Sequence, residues 1–84
     1  MNDVFRALND PNRRRMIELL KERPMNSGEI AQHFDMKRPS ISHHLDILKR
    51  ADLITGEKKG QFIKYSLNTT IMEDLLNWLI TFKK

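Results

Sequence analysis

The stretch SGEIAQHFDMKRPSISHHLDILKRADLI, residues 27–54, decides the fold. Asn26, just ahead of it, is a helix-capping residue type, and Glu29 three positions on completes a capping box. Ile30, Ala31 and Phe34 give a short first helix its buried side. Asp35-Met36-Lys37-Arg38 is a polar turn. Pro39 then suits the first turn of a second helix, where a missing N–H leaves no bond unmade. Along that helix Ile41, Leu45 and Leu48 recur at i, i+4 and i+7, the spacing of one apolar face. His44 and Ala51 sit at the edge of this face, while Pro39, Ser42, His43, Asp46 and Arg50 occupy the opposite side. The helix is expected to end near Ala51-Asp52.

Beyond that point the period changes from 3.6 to 2. Leu53-Ile54-Thr55 and Ile63, Tyr65, Leu67 read as two strands, with residues 56–61 as a polar, Gly-bounded loop between them. Upstream, Val4, Phe5 and Leu8 mark a first helix ending near Asn9. Asp10-Pro11 opens another, a capping carboxylate followed by proline at the first helical position. Met16, Ile17, Leu19 and Leu20 supply its core side, and Arg23-Pro24 ends it. A last helix begins near Thr69-Thr70 and carries Ile71, Leu75, Trp78, Leu79 and Phe82, with Met72, Leu76 and Ile80 on an adjacent face. The expected fold is mainly α with a small β-hairpin, in the order ααααββα. Short helix, tight turn, second helix and hairpin together are the layout of a winged helix-turn-helix. Residues 1–84 are read as one domain, with the helix-turn-helix at about 27–51 and the wing at about 53–67.

Composition narrows the function. Eighty-four residues suffice for one domain, and the chain has no cysteine for disulfides or thiolate metal ligands. No apolar run approaches the roughly 18–20 residues that cross a bilayer, so no membrane insertion is expected. The opening MNDVFRALND is acidic and amphipathic, unlike a signal peptide. A cytoplasmic, nucleoid-associated protein is the natural expectation. Residues 37–64 hold seven basic side chains (Lys37, Arg38, Lys49, Arg50, Lys58, Lys59, Lys64) against three acids, which is the chain's whole excess of +4. Positive charge gathered in one third of a chain attracts a polyanion and speeds its capture.

The second helix suits a duplex. Small hydroxyls and an imidazole near a helix N-terminus let the backbone sit deep in the major groove while donating to base edges. The candidate DNA-contacting residues of this helix are Lys37, Arg38, Pro39, Ser40, Ser42, His43 and Arg50. Those of the wing are Lys58, Lys59 and Gln61, whose cations reach phosphates or a narrow minor groove. The bland alternatives are an ordinary amphipathic surface helix and edge-strand lysines that oppose aggregation.

The combination of FRALNDPNRRRMIELL (residues 5–20), the stretch quoted at the outset, and EKKGQFIKYSL (residues 57–67) resembles the ArsR/SmtB winged-helix repressors along nearly the whole chain. It is most similar to a metal-independent, autorepressing branch of that family. The resemblance implies a symmetric dimer on double-stranded operator DNA, with contacts from Arg38, Pro39, Ser42 and His43 and from Lys58 and Lys59 on the wing. Arg38 and Pro39 replace the small polar residues usual in the family. The family's thiolate sensors carry Cys-x-Cys where this chain has Asn26 and Gly28. Other members use Asp and His pairs on the last helix, where this chain offers only Glu73 and Asp74. His43 and His44 are adjacent on a helix, about 100° apart, and ill placed to share one ion. No metal and no cofactor are therefore expected; His44 is expected to be half-buried and His43 to face DNA. Ser40, Ser42 and His43 lie close together, but no buried acid orients the imidazole, so no enzyme is expected.

The last helix is apolar on more than one face. Met72, Leu76, Trp78 and Ile80, helped by Val4 and Phe5, are the candidate homodimer surface, with dimerisation assigned to residues 1–9 and 69–83. A twofold dimer demands an inverted-repeat operator. A chain without a sensor site can be switched by a sequestering anti-repressor protein. The contrasting expectation is a protein-interaction module that uses its basic face on an acidic partner.

Overall fold

Asp10 and Pro11 make the first corner of the molecule. A computed structural model describes residues 1–83, and in it the Asp10 carboxylate accepts from the amides of Asn12 at 2.8 Å and Arg13 at 3.1 Å. Burial pushes the Asp10 carboxyl upward, but these two amide bonds and the Arg13 charge outweigh it and hold its pKa below the ordinary value. Pro11 is the first residue of α2 (Pro11–Glu22), which follows the shorter α1 (Asn2–Leu8). Both junction arginines reach back to the end of α1. Arg13 Nε donates to the Ala7 carbonyl and Arg14 Nη1 to the Leu8 carbonyl, each at 2.7 Å. Carbonyls that a helix end leaves orphaned are thereby satisfied.

The capping box forms as the spacing implies. Asn26 Oδ1 accepts from the Glu29 amide at 2.8 Å, and Glu29 Oε1 accepts from the Asn26 amide at 2.9 Å, opening α3 (Ser27–Ala31). Helix α4 (Arg38–Arg50) follows after the turn. Its C-terminus closes with a pair of bonds, Leu53 N–H to the Leu48 carbonyl at 3.1 Å and Asp52 N–H to the Lys49 carbonyl at 3.0 Å. This is a Schellman arrangement in which Asp52, at φ +60°, takes the left-handed place that glycine usually fills. Leu48 and Leu53, the two residues such a motif brings into apolar contact, are both fully buried. The turn directs the chain into the wing, β2 (Ile54–Lys59) and β3 (Phe62–Leu67), before α5 (Thr69–Ile80).

The observed order is ααβααββα, which differs from expectation by one element. Met25–Asn26 forms a strand, β1, pairing antiparallel with β3 through Met25–Tyr65 and Asn26–Lys64, so the sheet order is β1-β3-β2. Two residues carry no periodicity; the strand exists because β3 offers a free edge to a chain already turning into α3. The hairpin loop is also shorter than expected. Residues 56–59 belong to β2, and Lys59 pairs with Phe62 across a two-residue turn of Gly60 and Gln61. Only Gly60 has positive φ there, +61°, the pattern of a II′ turn whose twist matches the strands it joins. Gly56 matters for a different reason: a Cβ there would meet Ile63 Cγ2 at 3.0 Å, so the Ile63 side chain would have to give way.

Met16 and Leu20 of α2, Ile30 of α3, Ile41, Leu45 and Leu48 of α4, and Leu53 and Ile54 at the wing base form the core. Burial of each large side chain is worth about 1.5–3 kcal/mol. Val4 joins them with 6% exposure. It was expected on the dimer face; the turn of α1 instead points it inward beside Ala7, so its side chain belongs to the subunit's own core. Helix α5 has no buried residue, although Ile71, Met72 and Leu75 pack against the core's edge. Phe82, expected on this helix, lies in the turn beyond Ile80. No helix among the described residues is long and apolar enough to cross a membrane.

Replacing Asp10 by alanine removes the cap of α2 and is expected to lower stability by about 1 kcal/mol in urea unfolding. An unchanged midpoint would show that the corner is held by other contacts.

Candidate nucleic-acid interface

Helix α4 has two unlike faces because its apolar residues repeat on only one. Ile41, Leu45 and Leu48 are sealed inside, which obliges Arg38, Pro39, Ser40, Ser42, His43, Asp46, Lys49 and Arg50 to stand in solvent. Lys37, the residue before the helix, is exposed too and makes no side-chain cap. The N-terminal end is thus polar, cationic and uncapped by any side chain, a setting that favours an anion. Arg38 is partly restrained: its Nη2 donates to Ser27 Oγ at 3.0 Å, linking the start of α4 to the start of α3. Ser27 was not among the expected site residues, and only the packing of the two helices brings it there.

Six of the seven expected α4-region residues, Lys37 through His43, cluster on the first two turns. Arg50 does not. It stands about 10 Å further along the axis than His43, paired with Asp46 at 3.1 Å. Such exposed pairs are worth at most about 1 kcal/mol, so a phosphate can displace Asp46 readily.

His43 and His44 divide as their positions imply. Their rings are 5.9 Å apart between centroids and tilted by 51°. His43 is exposed, while His44 is half-buried with Nδ1 at 3.2 Å from Arg13 Nη1. A guanidinium can only donate, so Nδ1 accepts and the neutral ring carries its proton on Nε2. Burial pushes the His44 pKa down; Asp10 raises it, Arg13 and His43 lower it, and the balance lies below the ordinary value. The DPNRRR stretch therefore does more than start a helix. Arg13 joins α1, α2 and α4, and Arg15 lies over the Phe34 ring at 5.3 Å, tying α2 to the turn before α4.

The wing presents its cations differently from expectation. Lys58 and Lys59 alternate along a strand and so face opposite sides. Lys58 shares a face with Ile63, its cross-strand partner, and Lys59 shares one with Phe62. Lys64, two residues on from Phe62, is on the Lys59 side and was absent from the expected wing set; strand alternation reveals it once the register is known. Lys59 pairs with Glu57 at 3.2 Å, and Gln61 is exposed in the turn. The residues matching the family's thiolate positions are committed or empty. Asn26 spends its side chain on the capping box, and Gly28 has none. Among the described residues no group of three or more His, Cys, Asp or Glu side chains gathers in one place.

Residues 10–55 match the model of the bacterial regulatory protein, arsR family. The chain belongs to the ArsR family. It is 55% identical over 82 residues to the transcriptional repressor SdpR of Bacillus subtilis (strain 168), an alignment covering 98% of this chain and 91% of that protein. The arsenical resistance operon repressor of Staphylococcus aureus is 28% identical, over 90% of this chain and 73% of its own length. Among solved structures, the ArsR family transcriptional regulator RHA00566 superposes with a TM-score of 0.89 at 30% identity, covering 95% of this chain and 88% of that one. This ArsR-family chain is a DNA-binding transcriptional repressor with a winged helix-turn-helix fold, and not an enzyme.

Gly60→Ala tests the wing's construction. Nothing lies within 4 Å of an added Cβ, so the penalty is backbone strain alone, about 1–2 kcal/mol. Faster amide exchange confined to residues 58–63 is the expected result. Unaltered exchange would mean that the turn does not depend on glycine.

Proposed function

We propose that this repressor acts in the cytoplasm, on the nucleoid, as a homodimer that sets the first two turns of α4 from each subunit into successive major grooves of an inverted-repeat operator, without sensing a metal. The observation that carries the reading is the exposed, uncapped polar end of α4 opposite a fully buried face. Ser42 and His43 read base edges; Lys37, Arg38 and Ser40 engage the backbone beside Pro39, whose ring packs on the groove wall. The wing's Lys58, Lys59 and Gln61 meet phosphates or the minor groove, and Arg50 a phosphate further along. Repression then needs only occupancy, and the repressor's own promoter is a natural target.

The dimer reading rests on α1 and α5. Leu76, Trp78 and Ile80 are each about half exposed on a helix with no buried residue. Phe5 of α1 lies against Trp78, ring centroids 5.8 Å apart, and Phe82 adds an edge-on contact at 5.0 Å, while Leu76 and Ile80, four residues apart, share another side of the helix. Large apolar side chains exposed on more than one side of a helix mark a surface that a partner can cover. Met72, at the patch border, is half-buried. A twofold through this surface places two reading helices about 34 Å apart, one turn of duplex.

Release from the operator we assign to a sequestering partner protein. The reading without a metal is supported by the capping role of Asn26 and the bare backbone of Gly28. Zinc or arsenite added to the DNA complex is then expected to leave affinity unchanged, and metal-driven dissociation would overturn that part.

The experiment is selection and sequencing of genomic fragments held by the purified protein, followed by titration of variants. Ser42→Ala or His43→Ala is expected to lose about tenfold on the selected operator and little on random DNA, the size of one base-edge contact. Lys59→Ala should weaken both alike and reduce the log–log salt slope by about 0.9. Equal losses for all three variants would remove base reading from Ser42 and His43. Retention of fragments without selectivity would favour a protein-interaction module instead. Trp78→Glu is expected to sediment as a monomer; a surviving dimer would move the interface elsewhere.

A further inference from the structure

The Arg13 guanidinium sits where three helices meet. Nε donates to the Ala7 carbonyl at 2.7 Å and Nη2 to the Arg6 carbonyl at 3.2 Å, both at the end of α1. Nη1 meets His44 Nδ1 at 3.2 Å on the inner edge of α4 and lies 3.8 Å from the Asp10 carboxylate at the start of α2. Only 11% of the side chain is exposed. No apolar contact in the core can turn on or off with conditions, but one of these four interactions can.

We propose that Arg13 is a positioning residue that, through Nδ1 of His44, fixes the DNA-reading helix relative to α1, and that protonation of His44 releases this setting and weakens operator binding. The inference rests on the operator-binding reading above. Its chemistry follows from donor and acceptor count. A guanidinium offers donors only, and a neutral imidazole can meet it with a bare Nδ1. An imidazolium carries a proton on both nitrogens, so the same contact becomes donor against donor and cation against cation. Either Arg13 withdraws, leaving the Ala7 carbonyl short of a side-chain donor and the Arg6 carbonyl with the Asn9 amide alone, or α4 shifts away from α1.

The charged groups acting on the ring are Asp10 and Arg13 from the α1–α2 corner and His43 from α4 itself. Burial opposes the charged ring, Asp10 favours it, and Arg13 and His43 oppose it; the net effect holds His44 neutral to lower pH than a free imidazole. The sign is therefore fixed. The fully set form exists above about pH 6.5, the ordinary histidine value, and is lost as pH falls through the lower folded value. His43 places a second imidazole on the reading face, so it is replaced in the binding assay to leave His44 as the one histidine of α4.

The test has two arms. In the free protein, NMR should show the backbone amides of residues 6–9 moving with the His44 titration. In His44→Asn, whose Oδ1 stands in for Nδ1 as a permanent acceptor, those amides should stay still. Arg13→Lys keeps the charge but not the forked donors, and should also uncouple them. In a His43→Gln background, operator affinity should fall progressively as pH drops below about 6.5, by less than tenfold at about pH 5.5, because a single depressed histidine is only partly protonated there. The His43→Gln/His44→Asn double variant should show no such fall. Amides of α1 that stay fixed while His44 titrates overturn the proposal whether or not an operator is bound, as does an equal fall in the double variant. Absence of fragment selectivity at neutral pH would instead sink the operator reading, leaving the amide titration to decide the coupling by itself.

Discussion

The structure depends on the one-sided burial of α4. Ile41, Leu45 and Leu48 are almost wholly inaccessible, locked against Met16, Ile30, Leu53 and Ile54. Rotating the helix to hide Ser42 or His43 would bring those aliphatic side chains into water, at about 1.5–3 kcal/mol each. The polar face therefore points outward as a consequence of packing and not of any interaction it makes itself. The helix's C-terminal closure carries the same constraint into the wing. Leu48 and Leu53 bracket the left-handed turn at Asp52, and Asn68 N–H, at the far end of the hairpin, returns to the Leu53 carbonyl at 3.0 Å. Helix α4 and the base of the wing are therefore joined through both ends of the hairpin.

The N-terminal corner plays the matching role on the other side. Asp10 caps α2, Arg13 and Arg14 cap the end of α1, and Arg13 continues to His44. Helix α1 in turn carries Phe5 against Trp78 of α5. The surface assigned to a second subunit is thus connected to the surface assigned to DNA through a short series of polar contacts. Helix α5 is the least embedded element, and the principal extents of 46 × 24 × 21 Å describe an elongated subunit.

Much of this was legible in the residues, and the reasons for the misses are physical. Helix starts at Pro11 and Ser27 were readable because their caps are local: a carboxylate or amide within three residues of the amides it serves. The core of α4 was readable because its period is its own. Strand β1 was not, since Met25 and Asn26 are strand only by pairing with Tyr65 and Lys64, some forty positions away. The wing's length was misjudged because Gly56 suggested a loop, whereas it marks the close approach of Ile63 and Tyr65. That error hid the alternation separating Lys58 from Lys59 and aligning Lys59 with Lys64. Val4 was assigned outward for want of any signal giving the rotation of a seven-residue helix. The Arg13–His44 and Arg38–Ser27 contacts join helices whose relative placement only the folded chain supplies.

The central claim is that the outward face of α4 enters the major groove once per subunit. Methylation interference on a selected fragment tests it most directly, because guanine N7 lies in the major groove. The account predicts two clusters of inhibitory N7 methylation, centred one helical turn or a whole multiple of it apart and related by the twofold of the site. Binding that tolerates N7 methylation throughout the fragment would contradict it.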